Sequence, residues 1–221
     1  MPVSQAMWGA IGKGILETLY MTLAGTLISY VLGVPLGVIL YVTDEKGILP
    51  KKGIHDVLGF IVNIIRSVPF LLLLVYVMPF TRFLVGTTIG TTAVIPPLVI
   101  ASTPFIARMV ESSLKEVDPG VIEAAESMGS TPWQIITKVL LPEAKPSLLV
   151  GAAIAVTTIL GYTAMAGFVG GGGLGGIATN YGYYKFNFKV MTITIVFLIV
   201  IVQVLQEVGM RIAVRSNKRN K

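Results

Sequence analysis

Long apolar runs separated by short polar gaps set the pattern of this chain. A helix needs about 20 apolar residues to cross a bilayer core of roughly 30 Å, because every backbone polar group must be satisfied within the segment. Five windows meet this demand, at residues 18–42, 57–80, 86–107, 147–168 and 190–206. The pattern therefore predicts an all-α, polytopic membrane protein with five transmembrane helices, forming a single domain over residues 1–221.

A count of four or six helices stays open, since residues 167–184 are also uncharged. That segment contains the run GFVGGGGLGG, and each glycine in a helix interior costs about 1 kcal/mol relative to alanine. We therefore expect a close-packing turn instead of a sixth membrane span. Such a turn suits either of two roles. It is a docking site for a binding protein or a moving loop at the outer surface, or it is a packing turn with no direct role.

Composition narrows the class of protein further. The chain is 54% hydrophobic and 13% charged, with a mean hydropathy of +0.81, which is typical of membrane proteins. Its formal charge of +6 sits in short gaps between apolar runs, so lipid headgroups are the expected partner and nucleic acid is not. The absence of cysteine and the single histidine, His55, exclude disulfides, thiolate chemistry and multi-histidine metal sites.

The distribution of Lys and Arg predicts the orientation, because cytoplasmic loops carry the excess of positive charge. One set of gaps and the C-terminal tail hold Lys46, Lys51, Lys52, Arg108, Lys115, Lys138, Lys145, Arg211, Arg215, Lys218, Arg219 and Lys221. The opposite set holds only Lys13, Arg82, Lys185 and Lys189. We therefore expect the N-terminus outside and the C-terminus in the cytoplasm.

A polar stretch in the middle of the chain, within the predicted cytoplasmic loop of about 111–146, has its own helix signals. Asp118 is a capping residue followed by Pro119, and Gly129 is suited to a left-handed C-terminal turn. Thr131 then opens a capping box, and the second helix is predicted to end before Pro142. The stretch is therefore predicted to form two short helices with a corner between them.

The first of these helices carries an apolar face. Val121, Ala125 and Met128 are predicted to share that face, while Glu123 points elsewhere. A helix this short is unstable alone in water, so it must dock against something. Considered locally, that surface is either another protein or the lipid headgroups.

The sequence of this stretch resembles a known signature. EAAESMGSTPWQIITKVLLP is similar to the conserved loop of ATP-binding-cassette (ABC) importer permeases, with Val139 where isoleucine is commonest. In that family the first helix is a coupling helix that sits in a cleft of the ATPase subunit. The resemblance assigns this coupling role to Glu123, Ala124, Ala125, Met128, Gly129, Leu141 and Pro142.

The resemblance extends over nearly the whole chain. LETLYMTLAGT, GVPLGVILYVT, PFIARMVESSL and GYTAMAGFVGGGGLG are similar to the methionine-import permeases in particular. It implies the type I ABC importer permease fold in a bacterial inner membrane. The implied partners are a second copy of the chain, two ATPase subunits that bind ATP and Mg, and an external substrate-binding lipoprotein.

ATP-binding motifs are missing from the sequence itself. Gly170, Gly172 and Gly175 fit G-x-G-x-x-G, but no strand is predicted before them and no acidic residue occurs between Glu143 and Glu207. There is also no G-x-x-x-x-G-K-[ST] loop. We therefore expect no cofactor on this chain and no enzymatic activity of its own.

Two further groups of residues are candidates for function. Arg66 is the one charge inside a predicted span, and Pro69 follows it, which predicts either a brace at a hinge or a side chain snorkelling to the interface. The fourth window is rich in small and hydroxylated residues, which predicts either a pathway-lining helix or ordinary close packing. In the pathway interpretation its narrowest part involves Tyr162, Thr163 and Met165.

Two alternatives to methionine import remain open. Related permeases with the same loop carry other amino acids. A self-contained ion-coupled transporter is the more distant alternative, because proton coupling usually requires Asp, Glu or His within the membrane. Here the acids nearest to spans, Glu17 and Glu207, lie at their ends.

Overall fold

The structure is a computed structural model that describes residues 5–216, and within these the chain forms helices without strands. The basic residues Lys218, Arg219 and Lys221 of the predicted cytoplasmic tail lie outside the described residues. The α-helices in chain order are α1 Gln5–Thr43, α2 Lys52–Ser67, α3 Phe70–Tyr76, α4 Met78–Val85, α5 Thr91–Lys115, α6 Pro119–Ser127, α7 Pro132–Ile135, α8 Leu141–Glu143, α9 Lys145–Ala166, α10 Gly173–Ile177 and α11 Phe188–Ser216. A π-helical turn, Ile136–Leu140, joins α7 to α8, and another, Ala178–Tyr183, follows α10.

Several helices are long and apolar enough to cross a membrane. By length and composition, four helical segments among the described residues qualify: Gln5–Thr43, Thr91–Lys115, Lys145–Tyr183 and Phe188–Ser216. The pair α2 and α3 supplies a fifth if it is counted as one span. Four of the five predicted windows thus fall on long helices, and the third window extends about two helical turns further than expected, to Lys115.

The second window, 57–80, is broken instead of forming one continuous helix. Helices α2 and α3 meet at an angle of 101°, with Pro69 at the N-cap of α3. Proline cannot donate a backbone hydrogen bond, and it drives the preceding residue toward extended backbone. Val68 accordingly has ψ 124°, so the chain leaves α2 in a new direction.

The closest helix pair in the bundle is α1 with α5, which run parallel. A methyl group added at Gly25 would contact Leu98, and one added at Gly33 would lie 2.7 Å from Cγ2 of Ile106. Without side chains at these positions the two backbones can approach closely, which is the usual way in which membrane helices associate. The other helices pack around this seam between α1 and α5.

The glycine-rich segment after α9 is more helical than its composition suggests. It turns at residues 167–172 and then forms α10 and the second π-helical turn, packed back against α9 and α1. Side chains of α1 hold its start: Glu17 accepts a hydrogen bond from the backbone N–H of Gly173 at 2.8 Å, and Thr18 accepts one from Leu174 at 2.9 Å. Tertiary contacts therefore offset the low helix propensity of glycine.

At the opposite end of the bundle, a buried apolar cluster joins α5 to the middle stretch. Its buried members include Leu114 and Val117 next to Ala125, Ile135 and Leu140. This cluster fixes α6 and α7 to the end of the transmembrane bundle. The helix pair predicted from the sequence is thus present in the structure and packs against the transmembrane bundle.

Candidate functional site

Helix α6 begins and ends as its sequence signals predict. The Asp118 carboxylate accepts a hydrogen bond from the backbone N–H of Gly120 at 2.8 Å, and Pro119 occupies the first helical position. Gly129 has φ +77°, which a residue with a side chain adopts only with strain, and its N–H donates to the carbonyl of Glu126. These two ends set the length of the helix and the corner that follows it.

The second helix of the pair starts as predicted but does not stop where predicted. Thr131 and Gln134 form the expected capping box, with hydrogen bonds of 3.4 and 2.8 Å. The chain then widens into the π-helical turn and continues through Pro142 into α8, so the prediction that the helix ends before Pro142 is wrong. In a regular α-helix the ring of Pro142 would clash with the carbonyl of Lys138, and a π-helical turn changes the spacing between those groups.

The buried face of α6 differs from the predicted one. Ala125 is 3% exposed and packs into the apolar cluster with Ile122, whereas Val121 and Met128 face outward. Met128 is 77% exposed, and Trp133 of α7 is 72% exposed. Of the three residues predicted to share one apolar face, only Ala125 is therefore buried against this chain.

The outward residues Val121, Met128 and Trp133 are defined here as the apical apolar surface. These three residues lie on or next to α6 and α7. Helix α6 is capped at both ends, and the buried side chains of Ala125 and Ile135 anchor the two helices to the bundle. Large apolar side chains exposed at this end of the bundle make this surface the candidate contact for another molecule. Trp133 was not among the predicted site residues. Its position next to a helix cap in a polar stretch is the signal that could have identified it.

The other predicted coupling residues occupy different positions at this end of the bundle. Glu123 and Ala124 are exposed on α6, and Glu123 lines a cleft of roughly 570 Å³ together with Asp44 and Lys115. Pro142 is also exposed and lines a second cleft of roughly 630 Å³. Leu141, by contrast, packs against the apolar cluster.

Electrostatics at this end centre on Lys115. Its ammonium group lies 2.9 Å from an oxygen of Asp44 and 2.8 Å from an oxygen of Glu111, a carboxylate in a residue that is only 4% exposed. The hydrogen bond from Lys115 lowers the pKa of Asp44 below its ordinary value, so this carboxylate is charged at neutral pH. The arrangement is a salt-bridge network that neutralises two converging carboxylates.

The same network is the place where a metal ion would be considered. Ligand atoms of Asp44, His55 and Glu111 lie within 4.8 Å of one another. Lys115, however, contacts both carboxylates and already supplies a positive charge between them. The donor set therefore fits a salt bridge better than a metal centre.

The sequence did contain a signal for this network. Arg108, Glu111 and Lys115 are spaced three and four residues apart, which places them on one face of a helix. Because the third window was predicted to end at residue 107, these residues were assigned to a loop. In the structure they lie on the last two turns of α5.

The three predicted pathway residues have different environments in the structure. Tyr162 stacks on Phe70 with ring centroids 4.4 Å apart, and the Thr163 hydroxyl is buried and donates to the carbonyl of Leu160 in its own helix. Met165 is half-exposed one turn further along α9, on the same side of the helix as Tyr162. Their assignment to a pathway stays a prediction.

Arg66 and Pro69 lie at the bend of the broken segment. Arg66 is exposed in the last turn of α2, and Pro69 caps α3 directly after the bend. The geometry agrees with a break in the helix at this point. A bracing role for Arg66 stays a prediction.

The four long apolar helices, with α2 and α3 as a further broken span, define a polytopic membrane protein. The chain belongs to the family described as binding-protein-dependent transport system inner membrane components, whose model matches residues 33–219. Members of this family are multi-pass subunits of transport systems in the inner membrane.

Curated relatives match three quarters or more of the chain. The probable D-methionine transport system permease protein MetI of Vibrio cholerae is 48% identical over 219 residues, covering 97% of each chain. The D-methionine transport system permease protein MetI of Escherichia coli K12 is 48% identical over 165 residues, covering 75% of this chain and 76% of that one.

Solved structures agree with the fold. An inward-facing structure of the MetNI methionine ABC transporter contains a chain with a TM-score of 0.96 and 46% identity, covering 98% of this chain and all of that one. A chain of an amino acid ABC transporter crystallised with histidines gives a TM-score of 0.77 at 21% identity, covering 97% of this chain and all of that one. The second comparison bears on the fold alone.

Proposed function

We propose that this chain is the permease subunit of an ATP-driven importer of methionine. Two copies would form the pathway, two ATPase subunits would bind ATP and Mg at the end bearing α6, and an external binding lipoprotein would deliver substrate at the other end. The similarity to MetI proteins and to a MetNI structure supports both the substrate and the partners. D-methionine is included with L-methionine because the relatives are named for it.

The apical apolar surface carries this proposal. Exposed Val121, Met128 and Trp133 are held on helices that the apolar cluster anchors to the bundle. A protein partner covering Met128 and Trp133 would remove large apolar side chains from water and contribute to affinity. A partner that opens and closes can then move α6 as a unit.

Coupling requires each nucleotide state of the ATPases to favour one conformation of the permease through different contacts. In the proposed cycle, ATP closes the ATPases, the two α6 helices approach each other, and the spans switch to face outward. Hydrolysis resets the cycle. The likeness to an inward-facing structure supports assigning the present arrangement to the reset state.

The orientation in the membrane is part of the proposal. The end that carries α6 also holds Lys46 and Lys51 between α1 and α2, Lys52 at the first position of α2, and Lys138 and Lys145 on either side of α8. The charge excess at this end supports placing it in the cytoplasm, where ATP is available. The glycine-rich segment and α10 then face outward.

The substrate path is proposed to run beside α9, between two copies of the chain. Tyr162, Thr163 and Met165 remain the candidates for its narrowest part, with Met165 the most accessible of the three. Arg66 and Pro69 are proposed to act at the bend between α2 and α3.

The proposal is tested by purification of the ATPase together with this chain. Replacing Met128 with Glu places a charge in the proposed contact, and we expect the apparent affinity for the ATPase to fall by about tenfold or more, equivalent to about 1.4 kcal/mol or more. Leu49→Glu is the control, since Leu49 is also an exposed apolar residue and lies in the turn after α1, outside the proposed contact.

Equal retention of the ATPase by the wild type, Met128→Glu and Leu49→Glu would contradict the assignment of the contact to this surface. Purification without any ATPase, together with substrate uptake driven by an ion gradient, would contradict the proposed function as a whole.

A further inference from the structure

A continuous set of hydrogen bonds joins three helices at the end of the bundle below α6. Lys115, in the last turn of α5, binds Asp44 just beyond the end of α1 and Glu111 one turn back on α5. Glu111 also accepts a hydrogen bond of 2.7 Å from Arg108. The buried Glu111 carboxylate thus binds the side chains of both Lys115 and Arg108.

Arg108 extends the set to α2. Its second terminal nitrogen donates to the backbone carbonyl of Gly59 and to the side-chain oxygen of Asn63, each at 3.1 Å. Gly59 has no side chain, and an added methyl group would lie 3.1 Å from this nitrogen of Arg108. His55, also on α2, lies 3.0 Å from the carbonyl of Leu40 in α1 through its Nδ1. The ends of α1, α2 and α5 are therefore tied together by polar groups.

This network lies next to α6. Asp44 and Lys115 line one cleft together with Ile122 and Glu123, so the network and the coupling helix share a wall. Only residues 116–118 separate the end of α5 from the start of α6, and Val117 among them is buried in the apolar cluster with Ala125. A displacement of α6 therefore acts directly on the last turn of α5.

We propose that Lys115 is a positioning residue, which links α6 movement to α1 by joining the ends of α5 and α1. This proposal rests on the proposed function. The apolar cluster carries movement from α6 to α5, and the contacts of Lys115 with Asp44 carry it to α1. Arg108 carries it in parallel to the broken helix pair through α2.

The chemistry of the site requires a cation at residue 115. Without it, the carboxylates of Asp44 and Glu111 face each other with no ammonium group between them, and like charges at short distance repel. The polar connection between Asp44 and the last turn of α5 would then be lost, while the packed seam between α1 and α5 remains. Arg108 still holds Glu111, so the loss falls on the connection between α5 and α1 rather than on the whole bundle.

The test is the amount of methionine taken up per ATP hydrolysed by the complete complex in proteoliposomes. For Lys115→Met we expect this ratio to fall by about tenfold, within the range that typical coupling energies produce. Lys115→Arg retains the positive charge and is expected to restore the ratio to within about twofold of the wild type. Lys51→Met, at an exposed position just before α2 that does not line the cleft of Asp44 and Lys115, removes one positive charge nearby and is expected to leave the ratio unchanged.

Asp44→Asn provides a second, milder variant in case Lys115→Met does not fold. It removes one charge from a residue that is still partly exposed, so we expect the same direction of change and a smaller fall. A purely structural role would lower the amount of folded complex but would leave uptake per ATP unchanged in the fraction that assembles.

The outcomes separate this proposal from the proposed function. If the wild-type complex couples uptake to hydrolysis and both Lys115→Met and Asp44→Asn keep the wild-type ratio, the positioning role is wrong while the transport function stands. If the wild-type complex shows no ATP-dependent uptake, the proposed function fails first.

Discussion

At the scale of single residues, glycines in α1 allow the backbones of α1 and α5 to approach each other closely. Gly37 is the tightest point of the seam between α1 and α5 that involves backbone atoms. A methyl group there would lie 2.5 Å from the carbonyl oxygen of Ala107 and 2.6 Å from Cβ of Val110. Neither atom belongs to a flexible chain end, so α1 or α5 would have to shift.

We therefore predict that Gly37→Ala destabilises the protein by about 1–3 kcal/mol, the usual range for overpacking. Gly12→Ala on the same helix is the control, because nothing lies within 4 Å of the added methyl group. Thermal unfolding of the detergent-solubilised protein would measure both variants. A lower midpoint for Gly12→Ala than for Gly37→Ala would contradict the packing argument.

At the scale of helices, the sequence predicts best where the signal is local. The cap at Asp118, the left-handed turn at Gly129 and the capping box at Thr131 all depend on residues within one turn, and each is present in the structure. The path of the chain through Pro142 was not predicted. It depends on a π-helical turn, for which the sequence offers no comparable signal.

Tertiary contacts explain the other differences between prediction and structure. Helix propensity correctly marks the glycine-rich segment as weak, but the side chains of Glu17 and Thr18, more than 150 residues earlier in the chain, bind its first N–H groups. Likewise, the buried face of α6 is set by the cluster around Leu140, which only the folded chain brings together. Local pattern alone cannot supply either contact.

The capping of α10 gives a prediction at this scale. Thr18→Val keeps the shape of the side chain but leaves the buried N–H of Leu174 without its acceptor, which costs about 1–3 kcal/mol. Thr22→Val, one turn along the same helix, is the matched control. The Thr22 hydroxyl is buried and has no hydrogen-bond partner among the described residues, so its loss is expected to be neutral or stabilising.

Thermal unfolding in the same detergent would compare these two variants. The account predicts a clearly lower midpoint for Thr18→Val than for Thr22→Val. Equal midpoints would indicate that the contact between α1 and α10 contributes nothing to stability.

At the scale of the whole molecule, the bundle has two chemically different ends. One end carries α6 with the apical apolar surface and the Lys115 network. The other carries the glycine-rich segment, with exposed Tyr183, Tyr184 and Phe186 next to Lys185. This asymmetry matches a protein that receives energy at one end and substrate at the other.

The orientation of these ends can be measured directly because the chain contains no cysteine. We predict that Lys46→Cys is modified by a membrane-impermeant thiol reagent only from the cytoplasmic side, and Lys185→Cys only from the outside. Right-side-out and inverted membrane vesicles provide the two exposures. The reverse labelling pattern would overturn the proposed orientation.

Methionine uptake in proteoliposomes containing this chain and its co-purified ATPase tests the central claim most directly. The account predicts that uptake requires ATP, and that Glu123→Arg on the exposed face of α6 abolishes most of it while the chain remains folded and inserted. Uptake that proceeds without ATP, or that is unchanged in Glu123→Arg, would contradict energy coupling through this helix.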